Sequence, residues 1–109
     1  MDILLPKPIA GYFAADRSAD QDSILRQFSD PAIVIDGGKT HVGHQAIQSW
    51  MTESSAKYSY VAEPFAIAAQ AAQTIVTAHL SGNFPGSPVD LRYQFTLEGD
   101  KIARLEIGV

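Results

Sequence analysis

The sequence predicts an α+β domain with its helices first and its sheet after them. Three observations predict it. Apolar residues recur at helical spacing from Pro6 to about Ala56, and from Tyr58 onward they follow the two-residue period of strands. The later strands are separated by short polar or glycine-containing turns, as in a meander. Finally, 28 of the 109 residues are Leu, Ile, Val or Phe, enough for one core and too short a chain for two. A single domain over residues 1–109 is expected.

The elements follow in order. Proline is favoured in the first turn of a helix, so helix one should begin near Pro6 or Pro8, with Ile9, Tyr12 and Phe13 on one face. Asp16, Arg17, Ser18 and Asp20 break that pattern. A second short helix is expected from about Asp20 to Phe28, its acidic start favoured by the helix dipole and its stripe formed by Ile24, Leu25 and Phe28. Ser29-Asp30-Pro31 should stop it, because the residue before proline avoids helical backbone. Ala32 to Asp36 reads as a β-branched strand, Gly37-Gly38 as a hairpin turn and Lys39 to Val42 as the partner. Gly43 opens a third helix to about Ser55, with Ala46, Ile47, Trp50 and Met51 as its apolar stripe. Four strands complete the chain, near Tyr58–Ala68, Thr74–Asn83, Val89–Leu97 and Lys101–Ile107. The third of these alternates, with Leu91, Tyr93, Phe95 and Leu97 on one side and Asp90, Arg92, Gln94 and Thr96 on the other.

Composition narrows the function. Eight basic against 12 acidic residues, a net charge of −4, argue against nucleic acid or an anionic membrane as partner. The absence of cysteine excludes a disulfide framework, thiol catalysis and thiolate metal sites, and fits a cytoplasmic protein. Met-Asp-Ile-Leu-Leu-Pro has no basic n-region and only three consecutive apolar residues, so no signal peptide is expected. No apolar run approaches the length of a bilayer span.

Three stretches, in order and at these spacings, carry a resemblance. Ile9-Ala10-Gly11-Tyr12-Phe13-Ala14-Ala15-Asp16, with Asp20 after it, is similar to the first helix and acidic turn of the nuclear transport factor 2-like superfamily. Phe28-Ser29-Asp30-Pro31-Ala32-Ile33-Val34-Ile35-Asp36 resembles that family's approach to its first strand, and Gly43-His44-Gln45-Ala46-Ile47 its glycine-started third helix. The resemblance spans nearly the whole chain and is nearest to the small SnoaL-like (polyketide cyclase-like) and ketosteroid isomerase-like members. It implies three helices packed in the concave face of a strongly curved, mixed, mainly antiparallel sheet, a cone-shaped α+β barrel with a deep apolar pocket. It also implies a homodimer. Members of the superfamily include isomerases, cyclases, dehydratases, hydrolases and proteins without catalysis, so pocket residues must decide the function.

The isomerase pattern needs a carboxylate base and two hydroxyl-bearing donors to an oxyanion. Tyr12 stands where the family's helix-one tyrosine stands, and Asp36, 24 residues later, stands where its base stands. The residues themselves suit those roles. Tyr12 shares an apolar face with Ile9 and Phe13, so its hydroxyl needs a partner and would donate strongly in a dry pocket. Asp36 follows Ile33-Val34-Ile35, an apolar neighbourhood in which a carboxylate is a more effective base, although Asp before Gly-Gly is also ordinary turn chemistry. Asp90 is the candidate third partner. It lies two residues before the place of the isomerase acid, which Arg92 occupies, and its side of the strand also carries Gln94 and Thr96. A surface pair with Arg92 is the other reading of Asp90, and steroid isomerisation itself is not expected.

Trp50, with Phe13, would wall the pocket around a ring-shaped ligand, or simply fill the core. His41 at the mouth would carry protons, and His79 would project into the pocket or away from it. His41 and His44 are three apart but on different elements, so no metal site is expected. Phe84-Pro85-Gly86-Ser87-Pro88 would lip the pocket or cover a sheet edge. Three functional readings result: cofactor-free acid–base catalysis (isomerisation, aldol-type cyclisation or dehydration) on a small hydrophobic carbonyl compound, non-catalytic binding of such a ligand, and a dimerisation module working through the Arg92, Gln94 and Thr96 face.

Overall fold

A computed structural model describes residues 4–18 and 20–109. Helix α1 spans Lys7–Arg17 and α2 spans Gln21–Arg26; strands β1, Phe28–Asp36, and β2, Lys39–Val42, lead to α3, His44–Lys57. Strands β3, Tyr60–Gln70, β4, Gln73–Gly82, β5, Val89–Glu98, and β6, Lys101–Gly108, follow. The helix-then-sheet order and the four-strand meander are as the period of the sequence predicts.

Local chemistry sets the helix ends. Pro6 precedes the first turn of α1 and accepts from the Ala10 amide at 2.8 Å, and the Ser18 hydroxyl closes the other end onto the Ala14 carbonyl at 2.8 Å. Asp20 caps α2 by accepting from the Ser23 amide at 3.2 Å and the Ser23 hydroxyl at 2.7 Å. Gly43 begins α3 with φ at 88°, a left-handed backbone suited to glycine; its amide bonds the Ala32 carbonyl and its carbonyl takes the Ile47 amide. The helix is thereby tied to β1 at its first residue.

Strand β3 lies two residues later than expected, at Tyr60–Gln70, α3 runs on to Lys57, and two boundaries near Phe28 also differ. Helix α2 ends at Arg26 rather than Phe28, and β1 begins at Phe28 rather than Ala32. Phe28 pairs with Ile102 of β6, and the ladder then shifts register before resuming at Ile33 beside Arg104. Ser29-Asp30-Pro31 is therefore an irregularity within a strand, where proline is tolerated because no ladder hydrogen bond is asked of it.

The six strands form one open sheet in the order β2-β1-β6-β5-β4-β3, parallel only between β1 and β6. The helices cover one face, and the core lies between: Ile9 and Phe13 from α1, Ile47 from α3, and Val34, Leu105, Phe95 and Val76 from successive strands. Edge strand β3 carries Pro64 and a register shift at Phe65, both common on strands with one free edge.

Candidate functional site

The side chains that could do chemistry project from this covered face. Val34 is fully buried, so Asp36, two residues on, points to the same side. Asp36 sits beside Ile107 of β6, and Ile107 beside Tyr93 of β5, so the three form a row across adjacent strands. Strand spacing puts the Asp36 and Tyr93 backbones about 10 Å apart. Tyr12 descends from α1 onto this row, its ring centroid 6.3 Å from that of Tyr93.

Between them lies a hollow of about 580 Å³, within the range of small-molecule sites, lined by Tyr12, Asp36, Trp50, Tyr60, Tyr93 and Ile107 among others. Leu80, Val89 and Leu91 make its wall apolar, and Phe84, Pro85 and Gly86 line it too. The 84–88 loop thus lips the pocket. A smaller hollow of about 290 Å³ adjoins it; Tyr12, Trp50, Ser54, Tyr58 and Tyr60 line both, and Asp16, Arg17 and Gln21 belong to the smaller one.

Asp36 is held in place. The Trp50 indole N–H donates to its Oδ2 at 3.0 Å, fixing the carboxylate with one oxygen engaged. Across the hollow, the Tyr60 hydroxyl donates to Asp16 Oδ1 at 3.4 Å. Burial drives the Tyr12 phenol far above its ordinary value, and the charges on Asp16 and Asp36 add to that rise. Tyr60 and Tyr93 are raised for the same leading reason. All three phenols therefore keep their hydrogens at neutral pH and can serve as donors. Burial also raises the Asp16 carboxyl, an effect the Tyr60 hydroxyl partly offsets.

The arrangement can take a proton at Asp36 and hold a developing oxyanion between phenols. Among the described residues no three His, Asp or Glu side chains converge as metal ligands would.

The fold has a counterpart in a solved structure. The protein SMa1630 from Sinorhizobium meliloti, named a candidate polyketide cyclase, is 42% identical over 95% of this chain and 95% of its own, with a TM-score of 0.91. The chain belongs to the nuclear transport factor 2-like superfamily. More distant likenesses share the fold. TerC, crystallised with polyporic acid, matches at 18% identity, 93% of this chain, 87% of its own and a TM-score of 0.81. A Catenulispora acidiphila protein with a ketosteroid isomerase-like fold, in complex with trimethylamine, matches at 15% identity, 97% of this chain, 87% of its own and a TM-score of 0.84. No family model and no curated protein matches the sequence.

In this SnoaL-like protein Tyr12, Asp36 and Trp50 meet in one hollow, and the other candidates lie elsewhere. Asp90 is on the outer face, because it alternates with the inward Leu91 and Tyr93; it accepts from His79 at 2.8 Å, with both side chains about half exposed. Neither reaches the pocket, and the partner of Asp90 is His79 rather than Arg92. Phe13 is core, packed edge-on against Tyr12 and Tyr93 with centroids 5.2 and 5.0 Å away, and it lines neither of these two hollows. His41 sits beside Trp50, ring centroids 6.2 Å apart, without lining the cavity.

Three residues were not singled out from sequence. Asp16 lies four residues after Tyr12 and so shares its helix face. Tyr93 belongs to the inward alternation with Leu91 and Phe95. Tyr60 had no local signal, since its position follows from pairing with Gly82 at the sheet edge.

Proposed function

We propose that this SnoaL-like protein performs cofactor-free acid–base chemistry on a small hydrophobic carbonyl compound, of the isomerase, aldol-cyclase or dehydratase type. Asp36 takes a proton from the carbon next to the carbonyl, and the electrons released move onto the carbonyl oxygen. Tyr12, with Tyr93 beside it, donates hydrogen bonds to that oxygen as its charge grows. The base then returns the proton: to another carbon in isomerisation, to the alkoxide formed when the enolate carbon bonds a second carbonyl carbon in ring closure, or to a hydroxyl that departs as water in dehydration. The Trp50 N–H leaves one Asp36 oxygen for the proton, and the apolar wall of Leu80, Val89, Leu91 and Ile107 supports a hydrophobic substrate. The name of the S. meliloti relative favours ring closure within this class.

The observation that carries the reading is that Asp36, bonded by Trp50, and the buried Tyr12 line the same 580 Å³ hollow. The test is a thermal-shift screen of hydrophobic ketones, diketones and phenols against wild type, Asp36→Asn and Tyr12→Phe, followed by turnover of those that bind. Compounds that bind wild type should bind both variants, with turnover lost. Binding without turnover in wild type would make the protein a ligand carrier.

We further propose that the protein acts in the cytoplasm as a homodimer. Val61 and Phe65 on the edge strand are each about half exposed, which suits contact with a second copy. No helix among the described residues is long and apolar enough to cross a membrane.

A further inference from the structure

The mechanism above uses one of the two carboxylates that face the hollows and leaves Asp16 and Tyr60 without a role. Tyr60 stands on the partition, lining both hollows, while Asp16 lines only the smaller one. Their contact is a single hydrogen bond, and a phenol has a single hydrogen to give.

That hydrogen has two places to go. An ionised Asp16 can only accept, so it holds the Tyr60 hydrogen and turns the hydroxyl away from the larger hollow. A neutral Asp16 carries its own O–H and can donate to the Tyr60 oxygen. The Tyr60 hydrogen is then free to point into the larger hollow, where Tyr12 and Tyr93 already offer donors. A chain of donors also polarises each member, so the freed hydroxyl is the stronger donor.

We propose that Asp16 is a positioning residue whose protonation decides whether the Tyr60 hydroxyl is offered to an oxygen of the bound compound. This rests on the reading of the larger hollow as the ligand site and deepens it: the favoured ligand presents a carbonyl, enol or phenol oxygen between Tyr12 and Tyr60. Burial works in the same direction, holding the Asp16 proton to higher pH than a solvated carboxyl would. The charged and titratable groups around Asp16 are few. Arg17 follows it on α1 and lines the smaller hollow, Asp20 begins α2, Tyr60 comes from β3, Tyr12 and Tyr93 stand behind, and Asp36 lies across the larger hollow. Helix α3 presents Ser54 and Ser55 on this side and Lys57 to the larger hollow, and Tyr58 after it lines both hollows. Tyr60 itself is well anchored, because Gly82 opposite it leaves room for the backbone of Ser59 and Tyr60 to approach closely.

The experiment is a set of binding curves for 2-naphthol, from about pH 4 to about pH 8, below the ionisation of the naphthol itself. The affinity of wild type should fall about fivefold to tenfold as pH rises through the titration of Asp16, the value of one hydrogen bond. Asp16→Asn should bind with no such step, and Tyr60→Phe should be flat at the weaker level. Asp36→Asn should keep the step, which separates the two carboxylates. A step that persists in Asp16→Asn, or in Tyr60→Phe, overturns the proposal while leaving the ligand site intact. Absence of naphthol binding at every pH would overturn both the proposal and the ligand site beneath it. A merely structural role for Asp16 would change affinity without removing the pH dependence.

Discussion

The Trp50 indole nitrogen lies 3.0 Å from Asp36 Oδ2, joining the middle of α3 to the last residue of β1. A carboxylate at a strand end beside Gly37-Gly38 would otherwise be free to cap its own turn. The indole instead holds it over the hollow, with its second oxygen available to a ligand. Trp50→Phe keeps most of the ring volume and deletes that donor. Turnover should fall about tenfold with little change in KM, and stability should fall by about 1 kcal/mol. A variant with unchanged kcat would show that the indole is only packing.

Asp16→Asn should reveal the cost of burying a carboxylate. The folded chain binds the Asp16 proton more tightly than the unfolded chain, whose ordinary value is 3.8. The stability contributed by this group is therefore fully present below that value and is lost as pH rises through the raised folded one. The variant lacks the ionisation, so its Tm should exceed that of wild type near neutral pH and the gap should close toward pH 4. Thermal melts across that range check it, and a gap that widens in acid would contradict the burial argument.

Gly82→Ala places a methyl group against the Ser59 carbonyl and the Tyr60 backbone. Neither is the movable end of a side chain, so the β3–β4 ladder must shift. A loss of about 1–3 kcal/mol is expected in denaturant unfolding. The same shift moves Tyr60, so 2-naphthol affinity should fall with it.

Asp90→Asn removes a pair on the outer face, where both side chains are about half exposed. Solvent screening limits its value to well under 1 kcal/mol. Ligand binding in the hollow and turnover should match wild type. A variant with lost activity would place Asp90 in the mechanism after all.

How much of this was legible in the sequence depended on the range of the interactions. The resemblance paired Tyr12 with Asp36, while helical periodicity put Tyr12 and Trp50 on buried faces and Ile33-Val34-Ile35 gave Asp36 its apolar neighbourhood. The periodicity and the apolar run are local signals. Asp16 and Tyr60 are 44 residues apart and meet only because β3 lies at the sheet edge near the end of α1, a long-range consequence of strand order that no window of sequence carries. Asp90 misled for the opposite reason: it was the carboxylate nearest the family position, which Arg92 occupies, while the alternation of Leu91, Tyr93 and Phe95 already assigned it to the other face. The start of β1 was hidden by Pro31, which reads as a breaker yet occupies a register shift within the strand.

The central claim is that Asp36 acts as a base on compounds whose oxygen is held by Tyr12. The most direct measurement is solvent-deuterium exchange into a bound hydrophobic ketone, followed by NMR in wild type, Asp36→Asn and Tyr12→Phe, because exchange reports proton removal whatever the final product. Wild type should exchange the hydrogens next to the carbonyl, Asp36→Asn should lose about a hundredfold or more of that rate, and Tyr12→Phe about tenfold to a hundredfold, with all three still binding the ketone. Exchange that proceeds equally in Asp36→Asn would contradict the claim.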